Sequence, residues 1–216
     1  MREKIFIYGA SGHAKVVIDL LERQGRVDIA FLVDDDPALA GRDFFGYKVI
    51  GGWRELLDGR FADLRAAIVA IGDNHIRGRL AGRLLAGGYR LDAAIHPAAS
   101  LGRGVTVGHG TVVMAGAVVN ADAVIGANVI VNTGAIVDHD CRIGAGVHLG
   151  PGAVLCGNVA VGEATLVGAG ATILPNLTIG AGATIGAGST VIDNLPDGVT
   201  VAGTPARSLQ SCGPKR

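Results

Sequence analysis

The sequence has no net charge and no cluster of basic residues: its 216 residues include 19 Lys and Arg and 19 Asp and Glu. Proteins whose main partner is a nucleic acid usually carry a basic patch, so we do not expect such a partner. Cysteine is scarce as well, and the three residues present, Cys141, Cys156 and Cys212, form no CxxC pair. A reduced protein of the cytoplasm is therefore predicted.

Charge is missing above all from the second half of the chain. Of the Lys, Arg, Asp and Glu residues, 27 lie before residue 99 and 11 after it, which predicts a domain boundary near His96-Pro97. Residues 164–192 carry no charge and are long enough to span a bilayer. Their glycines recur in strict hexads, however, so we predict the core of a coil and no membrane insertion. We expect no signal peptide before Met1-Arg2-Glu3.

A six-residue repeat runs from residue 101 to residue 196. Leu, Val or Ile stands at the first position of every hexad, from Leu101 to Val191, and an apolar or small residue stands at the fifth. This period fits neither a lasting helix face nor plain hairpins. Two inward positions per hexad suit a short strand and a turn, and three hexads make one coil of eighteen residues. We predict stacked coils about 4.8 Å apart, with Gly at the second position supplying positive φ at the bends.

The residues before the repeat alternate between strand and helix patterns. Strands are predicted over 4–8, 29–36, 49–50 and 66–72, and helices between GASGHA and Gly25, over 52–58 and over 74–88. The first helix has Val16, Val17, Leu20 and Leu21 on one side. This order indicates a small parallel α/β domain, in which ligands bind at the carboxyl ends of the strands. Three loops lie there, at residues 9–13, 34–36 and 72–77.

Two of these loops carry groups suited to a nucleotide. Backbone N–H groups of GASGHA can cradle a phosphate at the start of the helix, with His13 as a further donor; the alternative is a plain tight turn. Asp34 and Asp35 end the next predicted strand, where a carboxylate can accept from ribose hydroxyls or a base edge. The alternative for these acids is a solvated strand end or a helix cap.

The hexad pattern is disturbed next to a candidate catalytic group. Seven hexads carry a residue larger than Gly at the second position: Met114, Asn120, Asn132, Asp138, Cys156, Leu174 and Ile192. Within this stretch His139 lies between Asp138 and Asp140. A carboxylate that holds an imidazole in one tautomer makes it a general base; the alternative is a surface histidine between surface acids.

Coil stacking places His139 over Gly157, eighteen residues further on. The Gly157 N–H can then serve as an oxyanion donor for a carbonyl attacked beside His139. His148 is half a coil away, so within one chain it faces elsewhere and meets His139 only across a subunit boundary; alternatively it is an exposed turn residue. Cys141 stands at an inward position and is interpreted as core, and Cys156 as a bystander.

Seven segments, in this order, resemble one family of sugar acetyltransferases: IYGASGHAKVV, FLVDDD, AIGDNHIR, VNTGAIVDHDCRIGAGVH, CGNVAVG, TILPNLTIGAGATIGAGS and VAGTPAR. The family comprises the sialic-acid O-acetyltransferase-like and the bacillosamine- and perosamine-type N-acetyltransferases. The resemblance implies an α/β Rossmann-like domain (1–98) followed by an all-β left-handed parallel β-helix (99–207) and a C-terminal tail (208–216). It also implies homotrimers without a metal or a permanently bound cofactor, with nucleotide-sugar on the first domain and acetyl-CoA, a co-substrate, between neighbouring β-helices.

The same resemblance implies a role for each matching residue. His139 matches the general base and Asp140 the acid that holds it, while Asn132 and His148 match residues lining the cleft. The substrate-binding matches are Ser11, Gly12 and His13 for the diphosphate, Asp34 and Asp35 for the nucleoside, and Gly72 and Asn74 in the third loop. Gly157, Ala169 and Ala187 match backbone contacts to acetyl-CoA. The segment PALAGRDFFGYKVIGG departs from the short loop of bacillosamine enzymes, which leaves UDP, GDP and dTDP sugars open.

The resemblance implies an N-acetyltransferase that moves acetyl from acetyl-CoA to the amine of a nucleotide-linked 4-amino-deoxy sugar, of the UDP-bacillosamine or GDP-perosamine type, by direct attack with His139 as the general base. Acids beside His139 favour an incoming amine over an anion. The main alternative is a sialic-acid-type sugar O-acetyltransferase. Two other classes remain: a metal-dependent hydratase, with His109, His139 and His148 as ligands, and a non-catalytic scaffold or sugar-nucleotide sensor.

Overall fold

The computed structural model describes residues 2–61 and 63–209, and its N-terminal part is built on a parallel sheet. The elements in chain order are β1 (Glu3–Tyr8), α1 (Gly12–Gln24), β2 (Val27–Val33), β3 (Asp43–Phe44), β4 (Tyr47–Lys48), α2 (Trp53–Leu56), β5 (Ala66–Val69), α3 (Asn74–Ala86) and β6 (Arg90–Leu91). The sheet has the order β2-β1-β5-β6, with all neighbours parallel. This is the predicted α/β architecture, and the carboxyl ends of β1, β2 and β5 lead into the three predicted loops.

Several boundaries differ from the sequence prediction for local reasons. Strand β2 ends at Val33 rather than residue 36, because the Asp34 carboxylate accepts the Asp36 N–H and turns the chain. The predicted strand at 49–50 is only an isolated bridge between Val49 and Leu32, and the short antiparallel pair β3–β4 before it was missed. On α1, Val16 is 42% exposed, so the buried side of this helix is narrower than predicted.

The rest of the chain is a solenoid of two-residue strands. They are β7 (Ala94–Ile95), β8 (Ser100–Leu101), β9 (Thr106–Val107), β10 (Val112–Val113), β11 (Val118–Val119), β12 (Val124–Ile125), β13 (Ile130–Val131), β14 (Ile136–Val137), β15 (Arg142–Ile143), β16 (His148–Leu149), β17 (Val154–Leu155), β18 (Ala160–Val161), β19 (Leu166–Val167), β20 (Thr172–Ile173), β21 (Thr178–Ile179), β22 (Thr184–Ile185) and β23 (Thr190–Val191). The chain closes with β24 (Thr200–Ala202) and β25 (Arg207–Ser208).

These strands form three sheets, which are the three faces of the solenoid. Face one contains β7, β10, β13, β16, β19, β22, β24 and β25; face two contains β8, β11, β14, β17, β20 and β23; face three contains β9, β12, β15, β18 and β21. From β7 to β23 the strands pair in parallel with a partner eighteen residues away, as Val118 does with Ile136. The first and fifth hexad positions point inward and fill the core with residues such as Val137 and Cys141, both fully buried. The eighteen-residue coil is therefore confirmed.

The prediction about glycine was wrong. Glycines at the second hexad position do not have positive φ; they are required because the next coil comes close, and a Cβ on Gly144 would lie 2.7 Å from the Glu163 nitrogen. Positive φ occurs at the fourth position instead. Gly occupies most of these fourth positions, and Asp122, Asn128, Asp140, Asn158, Ala164 and Asn176 occupy others. Asn and Asp tolerate this conformation better than other side chains do.

Both ends of the repeat differ from the predicted register. Strand β7 already pairs with β10 at the eighteen-residue spacing, so the coil begins before residue 99. Near the other end Leu195, not Asp197, bridges to Ile179, so this coil is two residues shorter than the others. Ser208, assigned to the tail, lies in β25 and pairs antiparallel with Val201 of β24. The remaining tail residues from 210 onward, with Cys212, lie outside the described residues.

The two parts of the chain pack on each other through face one. Val17 and Leu21 of α1 share a buried apolar cluster with Ala94, Val112 and Ile130, which point outward from the first three strands of this face. The next outward residue in that column is His148. The packing of α1 on this face therefore ends beside His148, and the α/β part reaches the following coil through Asn74, whose amide donates to the Ala164 carbonyl. Among the described residues, no helix is long and apolar enough to cross a membrane.

Candidate active site

One corner of the solenoid, between β14 and β15, carries the predicted histidine–carboxylate pair. His139 occupies the third hexad position, which points outward, and its side chain is 59% exposed. The ring Nδ1 lies 2.8 Å from Asp140 Oδ2. Asp140 holds the fourth position of the hexad with φ 61°, so the tight corner itself turns this carboxylate toward the preceding residue. Because a carboxylate accepts, Nδ1 carries the proton and the Nε2 lone pair is available.

A second carboxylate supports this corner from the other side. Asp138 Oδ1 accepts from the Asn120 side-chain amide, one coil below, and from the His139 N–H, both at 2.8 Å. The hydrogen bond to Asp140 and then the charge of Asp138 raise the pKa of His139 above its ordinary value of 6.5. An imidazole made more basic in this way is suited to take a proton from a substrate.

Gly157 lies directly above His139 in the next coil, as the eighteen-residue spacing predicts. A Cβ on Gly157 would lie 2.6 Å from His139 Nε2 and 2.7 Å from its Cε1, so the ring occupies the space that a side chain would fill. The Gly157 carbonyl accepts from the Asn176 N–H at 3.0 Å. Within the described part of the chain, no acceptor takes the Gly157 N–H. A donor without a partner beside the base is the geometry that an oxyanion requires.

A second group of predicted residues meets where the α/β part ends on face one. His148 Nδ1 lies 3.3 Å from the Gly72 carbonyl oxygen, and its Nε2 lies 3.2 Å from the Asn132 amide nitrogen. Because a carbonyl only accepts, Nδ1 donates and Nε2 accepts from Asn132. Burial, and then the charge of Arg77, lowers the pKa of His148. Both ring nitrogens are thus engaged in a neutral imidazole.

His13 joins this group from the start of α1. Its ring centroid lies 6.5 Å from that of His148, and its Nε2 is buried without a hydrogen-bond partner among the described residues. Burial is the main reason that the pKa of His13 falls to about 4, with His148 contributing next. Ser11 and Gly12 before it are exposed, and a Cβ on Gly12 would meet open space. The loop is therefore open to a ligand, with a neutral histidine at its inner end.

The two acids after β2 border a cavity of about 470 Å³. Asp35 accepts from the Tyr8 hydroxyl at 2.9 Å and from the Trp53 N–H at 3.0 Å, and Asp34 accepts from the Ala10 N–H at 2.7 Å. The hydrogen bond from Ala10 to Asp34 holds the loop before α1 next to this cavity. The Arg83 guanidinium lies 4.0 Å from the centre of the Trp53 ring, and both residues line the cavity.

Sequence reasoning missed the stacked pair Trp53 and Arg83. The available signal was the single Trp of the chain, which directly follows Gly51-Gly52. A Cβ on Gly52 would lie 2.5 Å from an Asp35 oxygen and 3.2 Å from the Asp35 Cα, so a side chain here would displace the Asp35 carboxylate. Close approach of this segment to the second loop therefore builds the wall of the cavity.

The predicted acetyl-CoA contacts do not all come together in one chain. Ala169 and Ala187 lie in one column, where the Gly188 N–H donates to the Ala169 carbonyl at 2.8 Å. This column is the corner between faces one and two, whereas Gly157 lies at the corner between faces two and three. A single chain thus separates the His139–Gly157 corner from both the alanines and the loops of the α/β part.

Within the described residues, the candidates for thiol chemistry and for metal binding do not form sites. Cys141 is buried, its Sγ donates to the Cys156 carbonyl at 3.2 Å, and burial raises its thiol pKa. Among the residues that the structure describes, no three His, Cys, Asp or Glu side chains are grouped to hold a metal ion, so His109, His139 and His148 do not form one.

A solenoid of hexads with a histidine–carboxylate pair at an exposed corner defines the class of hexapeptide-repeat acyltransferases. Comparison with known proteins agrees with this class for both parts of the chain. Residues 4–84 match the PglD N-terminal domain, and residues 122–157 and 158–193 each match the bacterial transferase hexapeptide model of six repeats. Among curated protein sequences, none matches.

Solved structures match nearly the whole chain. A histidine mutant of perosamine N-acetyltransferase from Caulobacter crescentus, in complex with CoA and GDP-perosamine, is 44% identical, with 96% of this chain and 97% of that chain covered and a TM-score of 0.92. The acetyltransferase domain of PglB from Neisseria gonorrhoeae, in complex with acetyl coenzyme A, is 41% identical, with 97% and 100% covered and a TM-score of 0.89. WeeI from Acinetobacter baumannii is 31% identical, with 96% and 100% covered and a TM-score of 0.87.

The chain therefore belongs to the hexapeptide-repeat, left-handed β-helix family of sugar acetyltransferases. The fold class predicted from the sequence is confirmed.

Proposed function

We propose that the protein transfers acetyl from acetyl-CoA to the amino group of a nucleotide-linked 4-amino-deoxy sugar. The observation that carries this proposal is the His139–Asp140 pair with the Gly157 N–H beside it, a base and an oxyanion donor at one exposed corner. Relatives solved with CoA and GDP-perosamine or with acetyl coenzyme A support both substrates. Both substrates are metabolites of the cytoplasm, where we place the reaction.

The chemistry follows from these positions. His139 Nε2 takes a proton from the sugar amine as the nitrogen attacks the thioester carbon, forming the C–N bond. The developing oxyanion accepts from the Gly157 N–H. When the C–S bond breaks, the imidazolium returns its proton to sulfur, so that CoA leaves as the thiol and the base is restored. Asp140 holds the ring and stabilises its charged form.

The two parts of the chain divide the binding. We assign the nucleotide-sugar to the domain at residues 1–98, with the diphosphate at Ser11, Gly12 and His13 and the nucleoside in the cavity beside Asp34 and Asp35. Residues Gly72, Asn74, Asn132 and His148 then border the sugar. We assign acetyl-CoA to the β-helix at residues 99–207, along Gly157, Ala169 and Ala187.

A complete site needs more than one chain. The His139–Gly157 corner and the alanine column lie at different corners of one β-helix, and the nucleotide loops lie on a third region. Neighbouring copies related by a threefold axis would bring unlike corners together, so we propose a homotrimer with sites at its subunit boundaries. Sedimentation at working concentration tests this, and a fully active monomer would contradict it.

The transfer is tested by substituting the base. His139→Ala should lower kcat by about 10²- to 10⁴-fold, the contribution of a positioned base, while the KM values change little. The matched control is His109→Ala, an exposed histidine at the same hexad position of another corner. Wild-type kcat in His139→Ala would overturn the assignment of the base. Acetylation of a 4-hydroxy sugar in preference to the 4-amino sugar would indicate O-acetylation.

The nucleotide is tested by binding. The GDP-linked sugar is the first candidate because a relative matched over 96% of this chain was solved with GDP-perosamine; UDP and dTDP sugars are the alternatives. Thermal unfolding with each diphosphate at equal concentration ranks them, since a ligand of the native state stabilises it by RT ln(1 + [L]/Kd). Asp35→Ala is the control that should reduce the shift, because it should weaken binding of the nucleoside about tenfold.

A further inference from the structure

Arg77 is a charged residue hidden between the two parts of the chain. Its side chain on α3 is 1% exposed, and no carboxylate hydrogen-bonds to it among the described residues. Burial lowers its pKa to about 10, so the guanidinium stays charged near neutral pH. The reaction proposed above does not use this residue, and its burial needs another explanation because an unpaired buried charge is costly.

All five N–H groups of the guanidinium are taken by oxygen acceptors. Nη1 donates to the carbonyls of Ile71 and Gly72 at 3.2 and 3.0 Å, and Nη2 donates to Asn74 Oδ1 at 2.8 Å. Nε donates to the Asn128 carbonyl at 3.0 Å, and Nη2 also donates to the Gly146 carbonyl at 2.7 Å. A planar fork of five donors fits this set, whereas the three donors of a lysine cannot reach all of it.

The acceptors come from both parts of the molecule. Gly72 and Asn74 belong to the third loop of the α/β part and Ile71 directly precedes it, while Asn128 and Gly146 belong to successive coils at the corner between faces three and one. Asn74 extends the contact by donating from its amide to the Ala164 carbonyl of the following coil at 2.9 Å. Arg77 and Asn74 therefore fix this loop to three stacked coils.

The same loop holds His148. The Gly72 carbonyl accepts from Arg77 and also lies 3.3 Å from His148 Nδ1, while the other ring nitrogen accepts from Asn132. The place and the tautomer of His148 thus depend on a carbonyl that the guanidinium holds. A cavity of about 360 Å³ opens at this point, lined among others by Gly72, Asn74 and His148.

We propose that Arg77 is a positioning residue for acetyl transfer: it fixes the Gly72 carbonyl, and through it His148, at the junction where the α/β domain presents its sugar to the β-helix. The inference rests on the proposed function for the identity of that sugar. Arg77 touches neither substrate in this scheme, and it acts through the backbone that it holds.

The kinetic test uses Arg77→Met, which keeps the length and removes the fork, with Arg79→Met, an exposed arginine on the same helix, as the matched control. Arg77→Met should lower kcat about 10- to 100-fold, the effect of misplacing a reacting group by about 1 Å. Affinity for the nucleoside diphosphate alone and the KM for acetyl-CoA should stay within about twofold. Arg77→Lys should recover only part of kcat, because it restores the charge but not all five contacts.

A second measurement does not depend on catalysis. Nitrogen NMR of the His148 ring in the unliganded wild-type protein should show the proton on Nδ1. In Arg77→Lys a smaller fraction of the rings should carry the proton on this nitrogen. In Arg77→Met the ring should lose this fixed tautomer. A folded Arg77→Met with wild-type kcat and unchanged His148 signals would overturn the inference; if that variant does not fold, full kcat in Arg77→Lys would do the same. A wild type inactive on every nucleotide amino sugar would refute the proposed function, whereas the change at His148 would still be observed.

Discussion

Adding one methyl group at Gly157 should disable the base without unfolding the coil. A Cβ on Gly157 would lie 2.6 Å from His139 Nε2, whereas non-bonded heavy atoms pack at about 3.5 Å. The ring therefore has to move by about 1 Å. A displacement of this size costs about 100-fold in rate for a reacting group, so Gly157→Ala should lower kcat by that order.

The fold should tolerate the same change. Gly157 does not have a positive φ, so alanine adopts its backbone conformation without strain, and the ring that must move is exposed. The substitution also keeps the Gly157 N–H, so the loss reports the base and not the oxyanion donor. We expect the free energy of unfolding to change by no more than about 1 kcal/mol.

Gly144→Ala provides the contrast. At this position the Cβ would lie 2.7 Å from the backbone nitrogen of Glu163 in the next coil. Backbone cannot move aside without opening the strand pairing, so this variant should lose about 1–3 kcal/mol of stability and keep its kcat per folded molecule. Steady-state kinetics and denaturant unfolding of both variants give the comparison. A Gly157→Ala enzyme with wild-type kcat would refute the position or the role of His139.

Three further predictions follow from the charges of the site. Asp140→Asn should move the acid limb of the kcat/KM profile to lower pH, because the Asp140 hydrogen bond is the largest cause of the raised pKa of His139. An acid limb at the same pH as in the wild type would argue against the His139–Asp140 pair. Asp35→Ala should raise the KM for the nucleotide-sugar about tenfold and leave that for acetyl-CoA unchanged, so equal effects would contradict the division between domains. With the pKa of His13 about 4 in the native state and 6.5 in the unfolded chain, stability should fall as pH drops through this window, by about 2 kcal/mol at pH 5. Denaturant titrations of wild type and His13→Asn test this, and identical pH dependence would count against it.

The solenoid could be predicted because its repeat encodes the pairing directly. Once two positions in six point inward, each residue stacks on the one eighteen further on, and the approach of Gly157 to His139 follows. The role of glycine could not be deduced in this way. The sequence has glycine at both the second and fourth positions, and only the coil-to-coil distance shows that the second needs space and the fourth needs positive φ.

Tertiary contacts account for what the sequence did not reveal. Arg77 lay within a predicted binding loop, but nothing in a helix of mixed polarity indicates that one arginine turns inward to meet the carbonyls of another domain. Likewise, Trp53 and Arg83 are thirty residues apart and meet only because α2 and α3 border the same cavity. Both cases depend on the packing between elements, which local patterns do not carry.

The irregular last coil opposes end-to-end stacking of one copy of the protein on another. A stack of identical coils ends in an open ladder of unpaired N–H and C=O groups, onto which a further stack can add without limit, as in a fibre. Here the coil ending at Leu195 is two residues short, and β25 runs antiparallel along β24. The terminal rung of face one therefore no longer matches the edge of another copy. We therefore expect this end of the solenoid to resist end-to-end addition of another copy.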